Sequence, residues 1–154
     1  MIPLRLGPQN DMGPVHALLT RAFAYMEGRI DPPSSLGRMP PEVLAREAAE
    51  NELWILPPAE APLACMVLSP KPDHLYLGKL AVAEAARGRG LGRQMMDHAE
   101  ARARALALPR LRLQTRIELS GNHATFRSLG FVEVARTAHP GYDRPTSLTF
   151  EKAV

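Results

Sequence analysis

The sequence predicts an α/β domain in which about seven strands are flanked by about four helices. Three observations support this fold class. Apolar runs of strand length alternate with segments of helical periodicity, a glycine-rich turn joins one such run to a long helix, and 154 residues are enough for one domain with its own core. We therefore expect residues 1–154 to fold as a single domain.

The first part of the chain predicts one strand and two helices. Residues 2–6 are of strand length, and Asn10 or Asp11 is expected to cap a helix whose apolar residues continue at helical spacing to Phe23. Turn-forming residues then dominate positions 28–41, which predicts a loop that ends where a second helix begins.

The middle of the chain predicts an antiparallel pair of strands, the central strand and the longest helix. The paired strands are expected at residues 53–56 and 63–68, and Cys65 in the second is expected to be buried. An apolar run over residues 75–82 predicts the central strand. The helix is predicted over residues 91–106, because apolar residues recur there every three or four positions. This stripe consists of Leu91, Met95, Ala99, Ala103 and Leu106.

The last third predicts a strand, a short helix and a hairpin. Apolar and polar residues alternate over residues 111–117, which predicts a strand with one apolar face. Ser120 is expected to cap a helix that runs to Leu129, and Gly130 is expected to terminate it. The two strands of the final hairpin are predicted at residues 131–135 and 147–151.

The turn between the central strand and the long helix predicts an anion site. Gly88, Gly90 and Gly92 allow the backbone to approach a ligand, and the helix N-terminus presents unpaired N–H groups and the positive end of its dipole there. A P-loop would need Lys followed by Ser or Thr, and a dinucleotide fingerprint would need the spacing G-x-G-x-x-G. Neither pattern is present, so another kind of phosphate or pyrophosphate site is predicted.

Basic residues are concentrated around this turn. The net charge is +3, but residues 87–116 contain eight arginines against Asp97 and Glu100. These arginines can screen a polyphosphate ligand, form a solvated helix face or bind nucleic acid. None of the aromatic residues (one Trp, three Tyr and four Phe) is interleaved with them as a base-stacking platform requires. No nucleic acid is therefore predicted as a partner.

The composition and the spacing of the cysteine and histidine residues argue against several other classes of protein. A single cysteine excludes a disulfide framework, and the five histidines lack the paired spacing of a metal site, so no metal is predicted. The first residues lack the pattern of a signal peptide, and no apolar run approaches the ~20 residues that span a bilayer. We therefore expect a cytoplasmic protein without a membrane partner.

Two motifs lie on either side of the long helix. The first is R-x-x-G-x-G, formed by Arg87, Gly90 and Gly92 behind the strand that ends at residues 80–82, and the second is L-G-F at residues 129–131. Together with the order of elements, they resemble the GNAT superfamily of acyl-CoA N-acyltransferases. The resemblance implies a mixed, mostly antiparallel central sheet and an acetyl-CoA-dependent N-acetyltransferase.

The resemblance also implies how acetyl-CoA (coenzyme A) is held. Its pyrophosphate would lie on the backbone N–H groups of the glycine-rich turn. Its pantetheine arm would lie between two splayed strands, paired with Leu80 and Val82. The backbone N–H of Leu80 would stabilise the charge that develops on the thioester oxygen. The implied cofactor-binding residues are Leu80, Ala81, Val82, Arg87, Gly88, Arg89, Gly90, Leu91, Gly92, Arg93, Asn122 and Phe126.

Removing the proton from the acceptor amine requires a general base. Deprotonating an alkylamine with a pKa of about 10.4 near neutral pH costs about 4 kcal/mol, whereas protonating a thiolate is a smaller problem. Tyr76, predicted to share a face of the central strand with Leu80, is one candidate base. The others are Glu118 beyond the next strand and Glu27 or Asp31 in the first loop.

The chain departs from the family at the residue that commonly protonates the leaving thiolate. The family has a tyrosine four residues before the glycine of L-G-F, and here that residue is Phe126. Asn122 also lies closer to this position than is usual in the family. Tyr142 in the final hairpin is a candidate replacement for the missing acid, whose loss should slow the reaction rather than abolish it.

The family resemblance places the acceptor against the loop between the first two helices, although a surface loop without function fits the sequence equally well. The acceptor is expected to be a small-molecule amine or a peptide, and acylation of a protein N-terminus or lysine is an alternative. A non-catalytic acyl-CoA-binding or regulatory module is a further alternative, favoured by the absence of the usual tyrosine. A monomer or homodimer is expected. The candidate acceptor contacts are Tyr25, Glu27, Arg29 and Asp31.

Overall fold

The computed structural model describes residues 1–34 and 39–154, and within them a seven-stranded sheet carries four α-helices. The strands are β1 (Leu4–Leu6), β2 (Glu52–Leu56), β3 (Ala64–Pro70), β4 (Leu75–Val82), β5 (Arg110–Arg116), β6 (Val132–Thr137) and β7 (Ser147–Ala153). The helices are α1 (Gly13–Phe23), α2 (Pro41–Glu50), α3 (Leu91–Ala105) and α4 (Ser120–Ser128). The predicted fold class and order of elements are confirmed.

The sheet is mixed, with the strand order β1-β2-β3-β4-β5-β7-β6. Neighbouring strands are antiparallel except for β4 and β5, which are parallel and lie in the middle. A parallel pair needs a crossover, and α3 supplies it. In the part of the chain that the structure describes, no helix has the length and apolar character needed to cross a membrane.

The start of the chain differs from the prediction at the boundaries of its elements. β1 begins at Leu4 rather than at residue 2. The predicted capping of α1 by Asn10 or Asp11 is wrong, because Met12 is the N-cap residue and no side chain caps the helix. The carboxylate of Asp11 accepts the N–H of Gly13 at 2.9 Å instead.

Two helix boundaries also differ from the prediction, and the bounds of β2, β3, β5, β6 and β7 differ from it by one or two residues. Ser120 is the first residue of α4 rather than its cap, since Leu119 precedes the helix and no side chain caps it. α3 ends at Ala105, so Leu106 lies past the buried stripe and is 37% exposed. Helix ends depend on local turn geometry, which periodicity does not encode. Part of the predicted first loop, residues 35–38, lies outside the described residues.

Apolar side chains form two cores, one on each face of the sheet. The core on the α3 face includes Met95 and Phe150, and the core under α1 and α2 includes Leu19 and Leu44. Cys65 of β3 is buried in the second core, as predicted. Because both faces are packed against helices, the middle strands are held in place on both sides.

The L-G-F motif ends α4 and directs the chain into the core. Gly130 has a φ of +98°, and its N–H donates to the carbonyl of Arg127 at 3.0 Å. The N–H of Phe131 donates to the carbonyl of Phe126 at 3.0 Å, which completes a Schellman motif. Phe131 is only 2% exposed. The glycine is needed for the positive φ, and the phenylalanine anchors the helix end.

A β-bulge in β4 decides which residues face the two cores. The register with β3 shifts here, and Lys79 has a φ of +52°. Before the bulge Leu77 packs into the core on the α3 face, and after it Leu80 packs against that same core. Tyr76 alternates with Leu77 and therefore faces the other side. The prediction that Tyr76 and Leu80 share a face is wrong, because the bulge reverses the alternation between them.

Candidate active site

β4 and β5 begin as hydrogen-bonded neighbours and then separate. Their parallel pairing covers only Leu75 with Leu111 and Tyr76 with Arg112. Beyond these pairs the strands splay, and a cavity of about 430 Å³ lies between them, lined by residues of both. The backbone groups of β4 that face β5 therefore have no strand partner along the cavity, which suits a ligand with amide groups.

The glycine-rich turn adjoins the end of β4. Gly88 and Gly90 have φ values of +80° and +74°, and a Cβ at either position would have nothing within 4 Å. Gly90 is the N-cap residue of α3. Among the described residues, the backbone N–H groups of residues 88–93 find no acceptor, and the first such bond of the helix is from Gln94 to the carbonyl of Gly90. Six consecutive free donors form a strong site for an anion.

Three arginines surround this turn and have exposed side chains. No carboxylate in the described part of the chain lies within ion-pair distance of any of them. Their guanidinium groups are therefore free to bind an anion, and guanidinium matches phosphate with paired hydrogen bonds. They are Arg87, Arg89 and Arg93.

One buried hydroxyl in the cavity wall lacks a partner. Thr115 of β5 is 7% exposed and lines the cavity, and within the described residues its Oγ1 makes no hydrogen bond. An unsatisfied buried polar group costs about 1–3 kcal/mol. The oxygen is covered by protein atoms, so a carbonyl in the cavity could reach it only after the side chain rotates. The residues present fit acetyl-CoA through the free N–H groups of the turn and the short pairing of β4 with β5, which leaves β4 backbone groups open to the cavity.

Several predicted site residues meet at this cavity. The cavity is lined by the end of β4, by three residues of α4 and by an aromatic residue from the segment after α1. This brings the predicted pantetheine contacts next to one of the predicted acceptor contacts. The predicted residues that line it are Tyr25, Leu80, Ala81, Val82, Asn122 and Phe126.

Two of the predicted general bases, Tyr76 and Glu118, are not among the described residues that line the cavity. Burial raises the pKa of the Tyr76 hydroxyl, although the backbone N–H of Gln114 acts in the opposite direction. Tyr76 is therefore a poor proton acceptor near neutral pH. Glu118 is exposed, and its Oε2 accepts the backbone N–H of Asp31 at 3.1 Å.

Tyr142, the predicted replacement acid, is bonded to a carboxylate. Its hydroxyl donates to Oδ1 of Asp31 at 2.6 Å, and Arg144 donates to Oδ2 of the same carboxylate at 3.0 Å. The hydrogen bond to Asp31 raises the pKa of Tyr142. Arg116 at the end of β5 donates to the carbonyl of Pro32 at 2.7 Å. The first loop is thus tied both to β5 and to the final hairpin.

The remaining predicted acceptor contacts include two exposed residues, Glu27 and Arg29. The Arg29 guanidinium stacks over the ring of Tyr25 at 5.8 Å. Glu27 is exposed, and neither Glu27 nor Arg29 is among the described residues that line the cavity.

His139 lines the cavity and was missed by the sequence reasoning. Its backbone N–H donates to Oγ1 of Thr146 at 2.9 Å, and its Nδ1 contacts the same oxygen. The Thr146 hydroxyl also contacts the carbonyl of Thr137. With Nδ1 held in this way, Nε2 has no partner in the described part of the chain. The sequence reasoning also missed two basic residues that line the cavity, Lys79 and Arg116.

Comparison with known proteins places the chain among acetyltransferases. A family model described as the acetyltransferase (GNAT) family matches residues 16–131. No curated protein sequence gives a significant match.

Three solved structures match over 99% of this chain. A GNAT family acetyltransferase from Elizabethkingia anophelis with acetyl-CoA bound has a TM-score of 0.70 and 16% identity over 97% of its own chain. Aminoglycoside 6′-acetyltransferase type Ii has a TM-score of 0.76 and 14% identity over 97% of its chain. The ribosomal-protein-S18-alanine N-acetyltransferase from Escherichia coli has a TM-score of 0.67 and 18% identity over 94% of its chain. At these identities the likeness shows a shared fold.

Proposed function

This chain belongs to the GNAT family of acetyltransferases, which use acetyl-CoA, and on that premise we propose that it acetylates the primary amine of an acceptor by direct attack in a ternary complex. When bound, acetyl-CoA supplies the acetyl group and departs as the free thiol. A nitrogen–carbon bond forms and a carbon–sulfur bond breaks. One proton must therefore leave the amine, and one must reach the departing sulfur.

The observation that carries this proposal is the row of free backbone N–H groups at residues 88–93. These donors and the adjacent arginines suit a pyrophosphate, and the splayed strands continue from them into the cavity. A surface bend between strand and helix would not need free donors, positive φ angles and an adjoining cavity together. Leu80 at the bulge supplies the backbone N–H that we assign to the thioester oxygen.

We assign removal of the amine proton to His139. It lines the cavity, and the Thr146 hydroxyl fixes its ring through Nδ1, so Nε2 is the basic atom. The described residues that line the cavity include none of the bases predicted from the sequence, which are Tyr76, Glu118, Glu27 and Asp31. A water molecule can connect His139 to an amine that does not reach it directly.

The departing sulfur is assigned to the region of Thr115 and Phe126, which line the cavity together. The Thr115 hydroxyl has no partner among the described residues, and after a rotation of its side chain it could donate a hydrogen bond to the developing thiolate. A hydroxyl of this kind stabilises the sulfur without transferring a proton, so solvent supplies the proton. This fits the expectation that the missing tyrosine slows the reaction without abolishing it.

Both a small-molecule amine and a peptide amine remain proposals for the acceptor. The aminoglycoside enzyme and the S18-alanine enzyme share this fold, and their names indicate one acceptor of each kind. The alternative of a non-catalytic acyl-CoA-binding module is favoured by Phe126 alone. A cytoplasmic location and a monomeric or homodimeric state remain predictions from the sequence.

Calorimetry with acetyl-CoA tests the proposed site, and Gly28 offers a matched control for Gly90. Both glycines have a φ of +74° and open space where a Cβ would stand, but only Gly90 belongs to the turn before α3. Alanine at either position should destabilise the fold by about 1 kcal/mol. We expect Gly90→Ala to weaken acetyl-CoA binding about tenfold or more and Gly28→Ala to bind like the wild type.

Release of free thiol from acetyl-CoA with a panel of amines then separates enzyme from binding module. Turnover with any primary amine supports the transferase. Calorimetric binding without thiol release favours the non-catalytic module, and a wild-type protein that gives no heat with acetyl-CoA overturns both.

A further inference from the structure

We propose that the acceptor amine carries a carboxylate and that Lys79 and Arg116 bind it, an inference that rests on the proposed acetyl transfer. An amino acid or the C-terminal part of a short peptide has this chemistry. The proposal concerns the charge of the cavity wall, which the family resemblance does not specify.

The cavity wall contains basic side chains and no acidic ones. Lys79 at the β4 bulge and Arg116 at the end of β5 line it from both strands. No Asp or Glu is among the described lining residues, and residues 35–38 contain neither. An acceptor with additional positive charge would therefore be repelled, whereas an anionic group would be attracted.

Both basic groups lack a counter-ion. Within the described residues, neither Lys79 nor Arg116 has a carboxylate at ion-pair distance, although both side chains are half-buried. The carboxylate of the adjacent loop, Asp31, already accepts from Tyr142 and Arg144. A partly desolvated cation without a partner is unfavourable, so an anionic ligand would gain from binding there.

Arg116 is also held in position before any ligand arrives. Its guanidinium donates to the carbonyls of Pro32 and Pro33 at 2.7 and 3.5 Å. These neutral acceptors orient the group and leave its charge uncompensated. A pre-oriented guanidinium loses less side-chain entropy when it binds a carboxylate.

The cofactor does not account for these two cations. The pantetheine arm that the cavity suits contains amides and a thioester and has no charge, whereas the phosphates are assigned to residues 88–93. The charge of Lys79 and Arg116 is therefore left for the acceptor. Amine and carboxylate on one molecule would place the amine close to His139 at the same cavity.

The test compares each of a panel of amino acids with its carboxamide, with free thiol release as the readout. We expect the wild type to prefer the carboxylates in kcat/KM by about tenfold or more, the usual effect of a charge-assisted hydrogen bond. Lys79→Met and Arg116→Gln should each reduce this preference about tenfold. Since each ratio is taken on one variant, a loss of folded protein cancels in it. The difference in reactivity between the two amines cancels when the ratio of a variant is compared with that of the wild type.

Two matched controls remove the same charges away from the cavity. Lys71→Met and Arg104→Gln change exposed residues, and both should keep the wild-type preference. A second readout is calorimetric binding of the preferred amino acid to the protein saturated with CoA, which should weaken in Lys79→Met and not in Lys71→Met.

Each result decides one of the two proposals. Turnover with amines or carboxamides but without preference for carboxylates overturns this inference and leaves acetyl transfer standing. Acetyl-CoA binding without any thiol release overturns the transferase, and calorimetry with the amino acids then decides the carboxylate site alone. No turnover and no binding across the whole panel overturns the carboxylate site.

Discussion

His139 is the single residue on which proton removal is predicted to depend. His139→Gln keeps a polar side chain of similar size but removes the basic nitrogen. We expect kcat/KM to fall about hundredfold, a typical contribution of a positioned general base. Steady-state kinetics with saturating acetyl-CoA measure this fall, and an unchanged melting temperature shows that the variant is still folded.

Thr146 provides the control for this assignment, because its hydroxyl holds the His139 ring. Thr146→Ser keeps the hydroxyl and should behave like the wild type, whereas Thr146→Val should lose part of the activity because the His139 ring is no longer held. A His139→Gln protein within a factor of two of the wild type would exclude His139 as the base.

Phe126 tests the role of the missing acid. Its ring lines the cavity and packs edge-on against Phe131 at 6.0 Å. Phe126→Tyr adds a hydroxyl near the assigned path of the thiolate, so kcat should rise or stay the same. Steady-state kinetics with saturating amine measure this. A tenfold fall in kcat, with the melting temperature unchanged, would contradict the placement of the sulfur beside this ring.

At the scale of elements, one ion pair joins the crossover helix α3 to β2. The Arg102 guanidinium donates to both carboxylate oxygens of Glu52 at 2.8 and 2.7 Å, and the Trp54 indole donates to one of them at 2.9 Å. The Glu52 side chain is 6% exposed. Burial alone would raise the pKa of Glu52, but the hydrogen bonds from Arg102 and Trp54 together hold that pKa below its ordinary value.

Arg102→Met is expected to reverse the sign of the contribution that Glu52 makes to the pH dependence of stability. In the wild type the lowered pKa of Glu52 stabilises the fold at neutral pH, and this contribution is lost as the pH falls through the folded-state pKa. In the variant burial raises the pKa, so the buried charge destabilises the fold as the pH rises. The free energy of unfolding of the variant should therefore fall further below that of the wild type as the pH rises from about 4 to 7. At pH 7 the difference between the two proteins should reach about 2 kcal/mol.

Urea unfolding at both pH values measures this difference. Arg104→Met on the same helix is the control, since Arg104 is exposed and has no ion pair in the described part of the chain. It should leave stability within about 0.5 kcal/mol of the wild type at both pH values. A difference for Arg102→Met that does not change with pH would show that lost packing, and not the charge of Glu52, accounts for it.

The sequence predicted best those elements whose bounds depend on residues close together in the chain. β4 has the predicted bounds of 75–82, and Gly130 terminates α4 as expected, because apolar runs and positive-φ glycines are local properties. The bulge at Lys79 was missed, because it arises from pairing with β3. It reversed the face of Leu80 relative to Tyr76, which periodicity alone had placed together.

At the scale of the whole molecule, the two halves of the candidate site have different origins in the chain. Most of the cofactor half comes from one continuous stretch, residues 80–93, and its motif was recognisable in the sequence. The acceptor half is assembled from contacts between distant segments, such as Tyr142 with Asp31, which lie 111 positions apart. No local pattern predicts such contacts, which is why His139 and the basic cavity wall emerged only from the structure.

This division predicts that a substitution can weaken binding of the acceptor without changing binding of acetyl-CoA. Tyr142→Phe removes one tie between the final hairpin and the first loop without changing any charge. An exposed contact of this kind is screened by solvent and contributes little, so KM for the acceptor should rise about fivefold or less. The acetyl-CoA dissociation constant and kcat should stay the same, because the hydroxyl donates to Asp31 and not to the thiolate.

Steady-state kinetics and calorimetry separate these quantities, and Arg110→Met is the control. Arg110 makes an equally exposed contact with Asp73 near the opposite end of β5, so breaking it should change neither KM nor acetyl-CoA binding. If Tyr142→Phe instead lowers kcat tenfold with KM unchanged, Tyr142 protonates the thiolate after all. The bond to Asp31 would then be a resting contact that opens during turnover, and the first loop would have to move for every acetyl group transferred.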